Sequence, residues 1–125
     1  MTKTAQEIMT GDVATIHPYA TVAEAIRHMH ERQVGSLLVE QLSPSDTWGI
    51  ITQTDVVQKV VAFEKDPAQV RVAEVMSKLI SIVRPDTPLR ECARVMGREH
   101  IRRVFVFDRN KVVGIVSASD IFDSL

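Results

Sequence analysis

Two short segments place a hydroxyl residue three positions before an aspartate, where a predicted strand passes into a predicted helix. They are Thr52 to Asp55 (TQTD) and Ser117 to Asp120 (SASD). A carboxylate there can accept hydrogen bonds from the two hydroxyl groups of a ribose, while the hydroxyl and nearby backbone N–H groups can face a phosphate. The same residue types also cap any helix, which stabilises it by about 1 kcal/mol. Because the junction occurs twice, the pattern favours a ligand site over a simple cap.

Both junctions belong to a unit that the sequence repeats. The segment EIMT (7–10) falls on EVMS (74–77) at an offset of 67, and GIITQTDV (49–56) falls on GIVSASDI (114–121) at an offset of 65. The loss of two residues lies where SPSDT (43–47) faces the shorter DRNK (108–111), both rich in turn formers. We therefore predict two repeats, residues 1–66 and 67–125, within one compact module.

Each copy contains a helix with one apolar face. Val22, Ala25, Ile26 and Met29 recur at helical spacing in the first copy, and Leu89, Cys92, Ala93 and Met96 occupy the equivalent positions in the second. The predicted N-terminal caps are Thr21, in a capping box with Glu24, and Thr87, followed by proline.

The remaining elements of each copy are a hairpin and a closing helix. β-Branched and aromatic residues predict strands at 36–40 with 48–52 and at 103–107 with 112–117. Val56, Val57, Val60 and Val61 are predicted to line one side of the first closing helix. The order predicts an α/β (α+β) fold of two βαββα units, packed sheet to sheet about a pseudo-twofold axis with two clefts between them.

The composition limits the classes of function. The chain has 125 residues, 45% of them hydrophobic, a formal net charge of −1 and one cysteine, Cys92. It lacks the positive field of a non-specific nucleic-acid binder and an apolar run of the ~20 residues that span a bilayer. We expect a cytoplasmic protein with no membrane or nucleic-acid partner.

The doubled signature in GIITQTDV and GIVSASDI resembles a tandem pair of cystathionine β-synthase (CBS) domains, also called a Bateman module. The resemblance covers nearly the whole chain. It implies that AMP, ADP, ATP (with or without Mg²⁺) or S-adenosylmethionine binds in the clefts as a regulatory ligand, with the motif aspartate on the ribose. It also implies a homodimer that passes the energy state to an unknown regulated protein.

Carried over by position, the resemblance implies two ligand-binding clefts. Cleft 1 comprises Thr52, Asp55, Ile82, Val83, Ile101, Arg102 and Arg103. Cleft 2 comprises Thr15, Ile16, Val34, Gly35, Ser36, Ile115, Ser117 and Asp120. Because Arg102 and Arg103 stand where the first copy has Gly35 and Ser36, we expect cleft 1 to prefer a phosphorylated ligand. The alternative for the arginines is a solvated pair at the start of a strand.

No catalytic residue and no metal site is predicted. Glu24 and His28 have the spacing of a shared metal site but fit a solvated helix face better, and Cys92 is expected in the core. An enzyme using Asp55 or Asp120 as a base is a weaker hypothesis, because a helix start favours the ionised, weakly basic carboxylate. A protein-interaction or nucleic-acid adaptor with empty clefts is the other alternative.

Overall fold

The structure, a computed structural model, describes residues 3–79 and 81–125. Backbone contacts divide it into a first unit, residues 14–79, and a second unit, which joins the N-terminal segment up to residue 13 to the segment from residue 81 to the C-terminus. In chain order the elements are α1 (Ala5–Ile8), β1 (Thr15–Ile16), α2 (Val22–Arg32), β2 (Ser36–Val39), β3 (Gly49–Thr52), α3 (Gln53–Val56), a π-helical turn (Val57–Val61), two 3₁₀ turns (Pro67–Gln69 and Val72–Glu74), β4 (Ser77–Lys78), β5 (Ile82–Val83), α4 (Leu89–Glu99), β6 (Arg103–Asp108), β7 (Lys111–Ser117) and α5 (Ala118–Asp123).

The two units contain the same sheet motif. In the first unit the strand order is β1-β2-β3-β4, with β1 parallel to β2 and the other pairs antiparallel. In the second unit the order is β5-β6-β7, with β5 parallel to β6 and β6 antiparallel to β7. Each parallel pair is joined through a helix, as a crossover connection requires. The predicted mixed α/β class, with a doubled strand, helix, hairpin and helix, is confirmed.

Each unit has its own apolar core between helix and sheet. In the first unit Val22, Ala25 and Met29 of α2 pack with Leu37 and Ile51 of the sheet. In the second unit the corresponding cluster consists of Val83, Cys92, Val95, Met96, Val104, Val106 and Val116, together with Ala5 from the N-terminal segment. The predicted apolar face of α2 supplies its core, and Cys92 and Met96 do so in α4. Of the other two residues predicted for α4, Ala93 is exposed and Leu89 is half-buried outside the core cluster, whereas Val95 is buried in it.

The sequence repeats and the compact units are different divisions of the chain. Each copy begins with a short segment that we call its lead-in, residues 3–13 in the first copy and 67–79 in the second. Each lead-in lies in the compact unit that contains the rest of the other copy. In the second unit the amide of Leu89, which begins α4, donates to the carbonyl of Lys3 at 3.0 Å. In the first unit the amide of Val22, which begins α2, donates to the carbonyl of Val70 at 2.8 Å. Each central helix thus begins against the lead-in of the other copy.

One of the two predicted N-caps is wrong. The N-cap of α4 is Pro88, whereas the hydroxyl of Thr87 accepts a 2.9 Å bond from the Arg84 amide in the preceding turn. Since the Thr87 hydroxyl is used in that turn, α4 begins without a side-chain cap, and its first amide donates to the Lys3 carbonyl. Thr21 does cap α2, accepting from the Glu24 amide at 3.1 Å.

The four valines predicted to line one side of the first closing helix differ in burial. Val56 and Val60 are buried, whereas Val57 and Val61 are 57% and 58% exposed. Successive helical residues are about 100° apart, so the two pairs point in different directions. Strand ends differ from the prediction by one residue at four places: β2 ends at Val39, β3 begins at Gly49, β6 ends at Asp108 and β7 begins at Lys111.

None of the helices within residues 3–79 and 81–125 has the length and apolar character needed to cross a membrane.

Candidate functional site

The two hydroxyl–aspartate junctions have nearly the same geometry. The Thr52 amide donates to Asp55 Oδ2 at 2.9 Å, and the Asp55 amide donates to Thr52 Oγ1 at 3.1 Å. The Ser117 amide donates to Asp120 Oδ2 at 2.9 Å, and the Asp120 amide donates to Ser117 Oγ at 3.0 Å. Each pair is a reciprocal capping box that begins a closing helix. The capping interpretation is therefore correct for both junctions, and it uses only one carboxylate oxygen of each aspartate.

The other carboxylate oxygen distinguishes the two junctions. Asp55 Oδ1 lies 3.1 Å from Lys59 Nζ, one helical turn later. The residue four positions after Asp120 is Ser124, whose hydroxyl donates to the carbonyl of Ile121 at 2.7 Å. Across the described ranges, 3–79 and 81–125, no group bonds to Asp120 Oδ1. Both aspartates are half-buried, so this free oxygen keeps part of its contact with solvent.

In the first unit, the junction lies beside the start of β2. Ser36 pairs with Thr52 in the antiparallel register, and the Gln53 amide donates to the Gly35 carbonyl at 3.0 Å. Ser36 is buried, with 8% of its surface exposed. The groups next to Thr52 and Asp55 on the neighbouring strand are therefore small and uncharged.

In the second unit, two arginines take the equivalent places. Arg103 pairs with Ser117 in the register, and the Ala118 amide donates to the Arg102 carbonyl at 2.8 Å. Arg102 is exposed and Arg103 is half-buried. Neither guanidinium makes an ion pair with any residue that the structure describes. In this unit, therefore, two arginines that form no ion pair with a described residue adjoin the junction from Ser117 to Asp120. The Oδ1 atom of Asp120 has no bonding partner among the described residues.

The other predicted site residues lie on the strands around these junctions. Thr15 and Ile16 form β1 in the first unit, and Ile82 and Val83 form β5 in the second. Ile115 lies in β7, two residues before Ser117. Val34 and Ile101 follow the central helices, and each packs against the core of its own unit.

The structure assigns each predicted cleft to residues of both units. Thr52 and Asp55 belong to the first unit, whereas Ile82, Val83, Ile101, Arg102 and Arg103 belong to the second; for cleft 2 the division is reversed. Within single units, the neighbours are Gly35 and Ser36 with Thr52, and Arg102 and Arg103 with Ser117. The assembly of the clefts across the units stays a prediction.

Sequence reasoning missed a contact between each lead-in and the motif glycine. A Cβ atom added to Gly49 would lie 2.8 Å from Met76 Sδ, and one added to Gly114 would lie 2.7 Å from Met9 Cγ. The signal was present, since methionine recurs in both lead-ins and glycine in both motifs. Reading it required the knowledge that each lead-in packs on the other copy.

Lys59 was also missed. Its ammonium group bonds to the Val75 carbonyl at 2.9 Å as well as to Asp55. The signal available in the sequence was a lysine four residues after the motif acid, a spacing that brings two side chains together on a helix.

The remaining candidates carry less chemistry. Burial raises the pKa of the Cys92 thiol, to which the nearby Glu91 carboxylate adds, so the thiol is a poor nucleophile. Glu24 and His28 line a shallow depression on the first unit with Ile16, Arg27 and Glu31. Within residues 3–79 and 81–125, no three His, Cys, Asp or Glu side chains are grouped so that they could hold a metal ion.

Comparison with known proteins identifies the repeat. The family model for the CBS domain matches residues 5–62 and again residues 72–125. The CBS domain-containing protein YhcV of Bacillus subtilis is 33% identical over 117 residues, which cover 93% of this chain and 81% of YhcV. An uncharacterized protein of Methanopyrus kandleri is 34% identical, and the matched 116 residues cover 92% of this chain but 59% of that longer protein.

The fold is shared with a solved oligomeric protein. A hexameric CBS-CP12 protein from bloom-forming cyanobacteria superposes with a TM-score of 0.90 at 42% sequence identity. The match covers 98% of this chain and 72% of that one.

Proposed function

Because this chain belongs to the CBS domain family, as a tandem pair of CBS domains, we propose that it is a regulatory module that binds an adenine nucleotide and transmits its binding to a partner protein. AMP, ADP or ATP, with or without Mg²⁺, and S-adenosylmethionine are the candidate ligands, and no chemical step is assigned to the chain. The proposal rests on the junctions, where each half-buried aspartate uses one oxygen as a helix cap; the other oxygen lies beside Lys59 at Asp55 and has no bonding partner among the described residues at Asp120. A carboxylate oxygen fixed in this way is suited to accept the hydroxyl groups of a ribose.

The observation that carries the proposal is the charge arrangement in the second unit. Two arginines without an ion pair among the described residues adjoin the junction whose acid has a free oxygen. Cations bind phosphate oxygens and a carboxylate accepts from ribose, so this combination suits a phosphorylated nucleoside.

The register supports a different partner for the arginines from the one that the sequence suggested. The sequence suggested that Arg102 and Arg103 serve a ligand held by Asp55. Their backbone instead adjoins Ser117 and Ala118 in the same unit as Asp120. We therefore propose that the arginines bind the phosphate of a ligand whose ribose is held by Asp120.

Self-association is the second part of the proposal. Val57 and Val61 of the first unit and Phe122 of the second are all more than half exposed on the segments that close the two copies. Exposed apolar side chains of this size are suited to a self-complementary interface. The hexameric state of the CBS-CP12 protein supports an oligomer, and the predicted form for this chain is a homodimer. A monomer in light scattering at micromolar concentration would contradict it.

The test is a thermal-shift panel of AMP, ADP, ATP and S-adenosylmethionine with and without Mg²⁺, followed by calorimetry. A ligand at 100 times its Kd stabilises the folded state by about 2.7 kcal/mol, a readily measured shift. Arg102→Ala and Arg103→Ala are expected to weaken AMP binding, whereas Arg109→Ala, an exposed arginine of the β6–β7 turn, is the matched control.

Asp120→Asn separates the two possible partners of the arginines. If Asp120 and the arginines hold one ligand, the arginine substitutions have little further effect in the Asp120→Asn background. If they weaken binding only when Asp55 is intact, the original assignment to Asp55 is correct. Absence of any shift with all four ligands, together with a shift on adding RNA or a protein partner, would favour the adaptor. ATP turnover that is lost in Asp55→Asn would favour the enzyme.

A further inference from the structure

The two motif aspartates differ in whether a cation already pairs with the carboxylate oxygen that the helix cap leaves unused. Lys59 Nζ lies 3.1 Å from Asp55 Oδ1, the oxygen that the helix cap leaves unused. The Asp55 side chain is 14% exposed, so the ion pair is partly removed from water. Among residues 3–79 and 81–125, none forms an ion pair with Asp120: Ser124 stands four positions on, and the Lys3 ammonium group bonds to the Ser124 carbonyl at 3.3 Å and not to the carboxylate.

Lys59 is held at this place by a second bond. Its ammonium group donates to the Val75 carbonyl at 2.9 Å, at the end of the 3₁₀ turn that leads into β4. Because two acceptors share the conformational-entropy cost of ordering one side chain, this ammonium group is held more firmly than that of a lysine with a single partner. The Val75 carbonyl also loses its side-chain donor if Lys59 leaves.

We infer that Lys59 determines the difference in ligand affinity between the two junctions, by competing with the ribose for Asp55 Oδ1. A ribose hydroxyl that bonds to this oxygen must share it with the ammonium group or displace it. The junction at Asp120 offers the same oxygen without competition. Ligand therefore fills the Asp120 junction first, and the Asp55 junction only at higher concentration. This inference rests on the proposed function, since it assumes that an adenine nucleotide binds at both junctions.

Lys59→Met is the principal test, because methionine keeps much of the apolar stem and removes the charge. In calorimetry with AMP, we expect the weaker binding step to tighten by roughly 1.5- to fivefold, the range that corresponds to a partly exposed ion pair. Asp55→Asn assigns the step, since it should remove the gain. Lys59→Arg should behave like the unaltered chain, because a guanidinium can also pair with Asp55.

Two further measurements exclude a general effect of charge or folding. Lys65→Met removes one exposed positive charge from the same unit and should leave both AMP binding steps unchanged. The melting temperature of each ligand-free variant reports on folding, and a purely structural role for Lys59 would lower it without tightening AMP binding.

The outcomes separate this inference from the proposed function. If AMP binds the unaltered chain and Lys59→Met leaves the weaker step unchanged, or weakens it, Lys59 does not compete and the inference is overturned alone. Equal tightening by Lys59→Arg or Lys65→Met would overturn it as well. If neither the unaltered chain nor any variant binds AMP, ADP, ATP or S-adenosylmethionine, the proposed function fails and the inference fails with it.

Discussion

The contact between Met9 and Gly114 offers a direct measure of how firmly the N-terminal lead-in is packed. A Cβ atom built on Gly114 lies 2.7 Å from Met9 Cγ and 3.0 Å from Met9 Cβ, and it also overlaps Met9 Sδ. Carbon atoms in good contact are about 3.5–4.0 Å apart, so Gly114→Ala requires Met9 to move by roughly 0.5–1 Å. The Met9 side chain cannot simply rotate away, because its own Cβ is among the overlapping atoms.

The backbone beside Met9 opposes this movement. Thr10 and Ile115 exchange two hydrogen bonds of 2.9 Å each, one residue away from the contact. Overpacking of this kind costs about 1–3 kcal/mol. Replacing glycine by alanine at a compatible backbone angle returns about 0.5–1 kcal/mol, and Gly114 has no positive φ. The expected net loss is about 1–2 kcal/mol, which lowers the Tm by roughly 3–10 °C for a chain of this size.

The assay is thermal and urea unfolding of four proteins: the unaltered chain, Gly114→Ala, Met9→Ala and the double variant. Because Met9→Ala removes the atoms that clash, the two effects should be non-additive by about 1 kcal/mol or more. Gly97→Ala is the matched control, since nothing lies within 4 Å of a Cβ at this helical position, and it should stabilise the chain by about 0.5–1 kcal/mol. If Gly114→Ala is as stable as Gly97→Ala, or if the two effects simply add, the lead-in is not packed as described.

Two other predictions concern stability. The raised pKa of Cys92 means that the thiol contributes stability fully below its unfolded pKa, near pH 8.5, and that this contribution is lost as the pH rises through the folded pKa. Urea unfolding between pH 7 and 10 should therefore show a steeper alkaline loss for the unaltered chain than for Cys92→Ala, and equal slopes would refute it. Ser117→Ala removes the acceptor of the Asp120 amide and should lower the free energy of unfolding by about 1 kcal/mol, as should Thr52→Ala in the first unit. A change smaller than about 0.2 kcal/mol in either variant would contradict the capping geometry. For the interface, Val61→Glu should convert a dimer into a monomer in light scattering, whereas Lys65→Glu, on an exposed lysine of the same unit, should not.

The local elements of this protein could be derived from its sequence. The internal offset of 67 residues gave the repeat, helical periodicity gave the buried faces of α2 and most of α4, and the alternating strands were correct to within one residue at each end. The two capping boxes at Asp55 and Asp120 could be predicted because a hydroxyl and an acid three residues apart can meet within a single helical turn.

The departures from the sequence predictions have different causes. Thr87 precedes a proline, as an N-cap often does, but its hydroxyl accepts from the Arg84 amide in the preceding turn, and Pro88 is the N-cap of α4. The four valines of the closing helix shared one apparent pattern, and only their packing divides them into a buried and an exposed pair.

The sequence by itself therefore determined the repeat, the element types and the acids at the strand-to-helix junctions, because those depend on interactions between neighbours in the chain. Only the tertiary structure decided that each lead-in packs on the body of the other copy, that the arginines adjoin Ser117, and that Lys59 joins Asp55 to Val75. The first of these facts depends on packing between segments far apart in the chain, and the other two depend on strand register and turn geometry, which packing and hydrogen bonding fix in three dimensions.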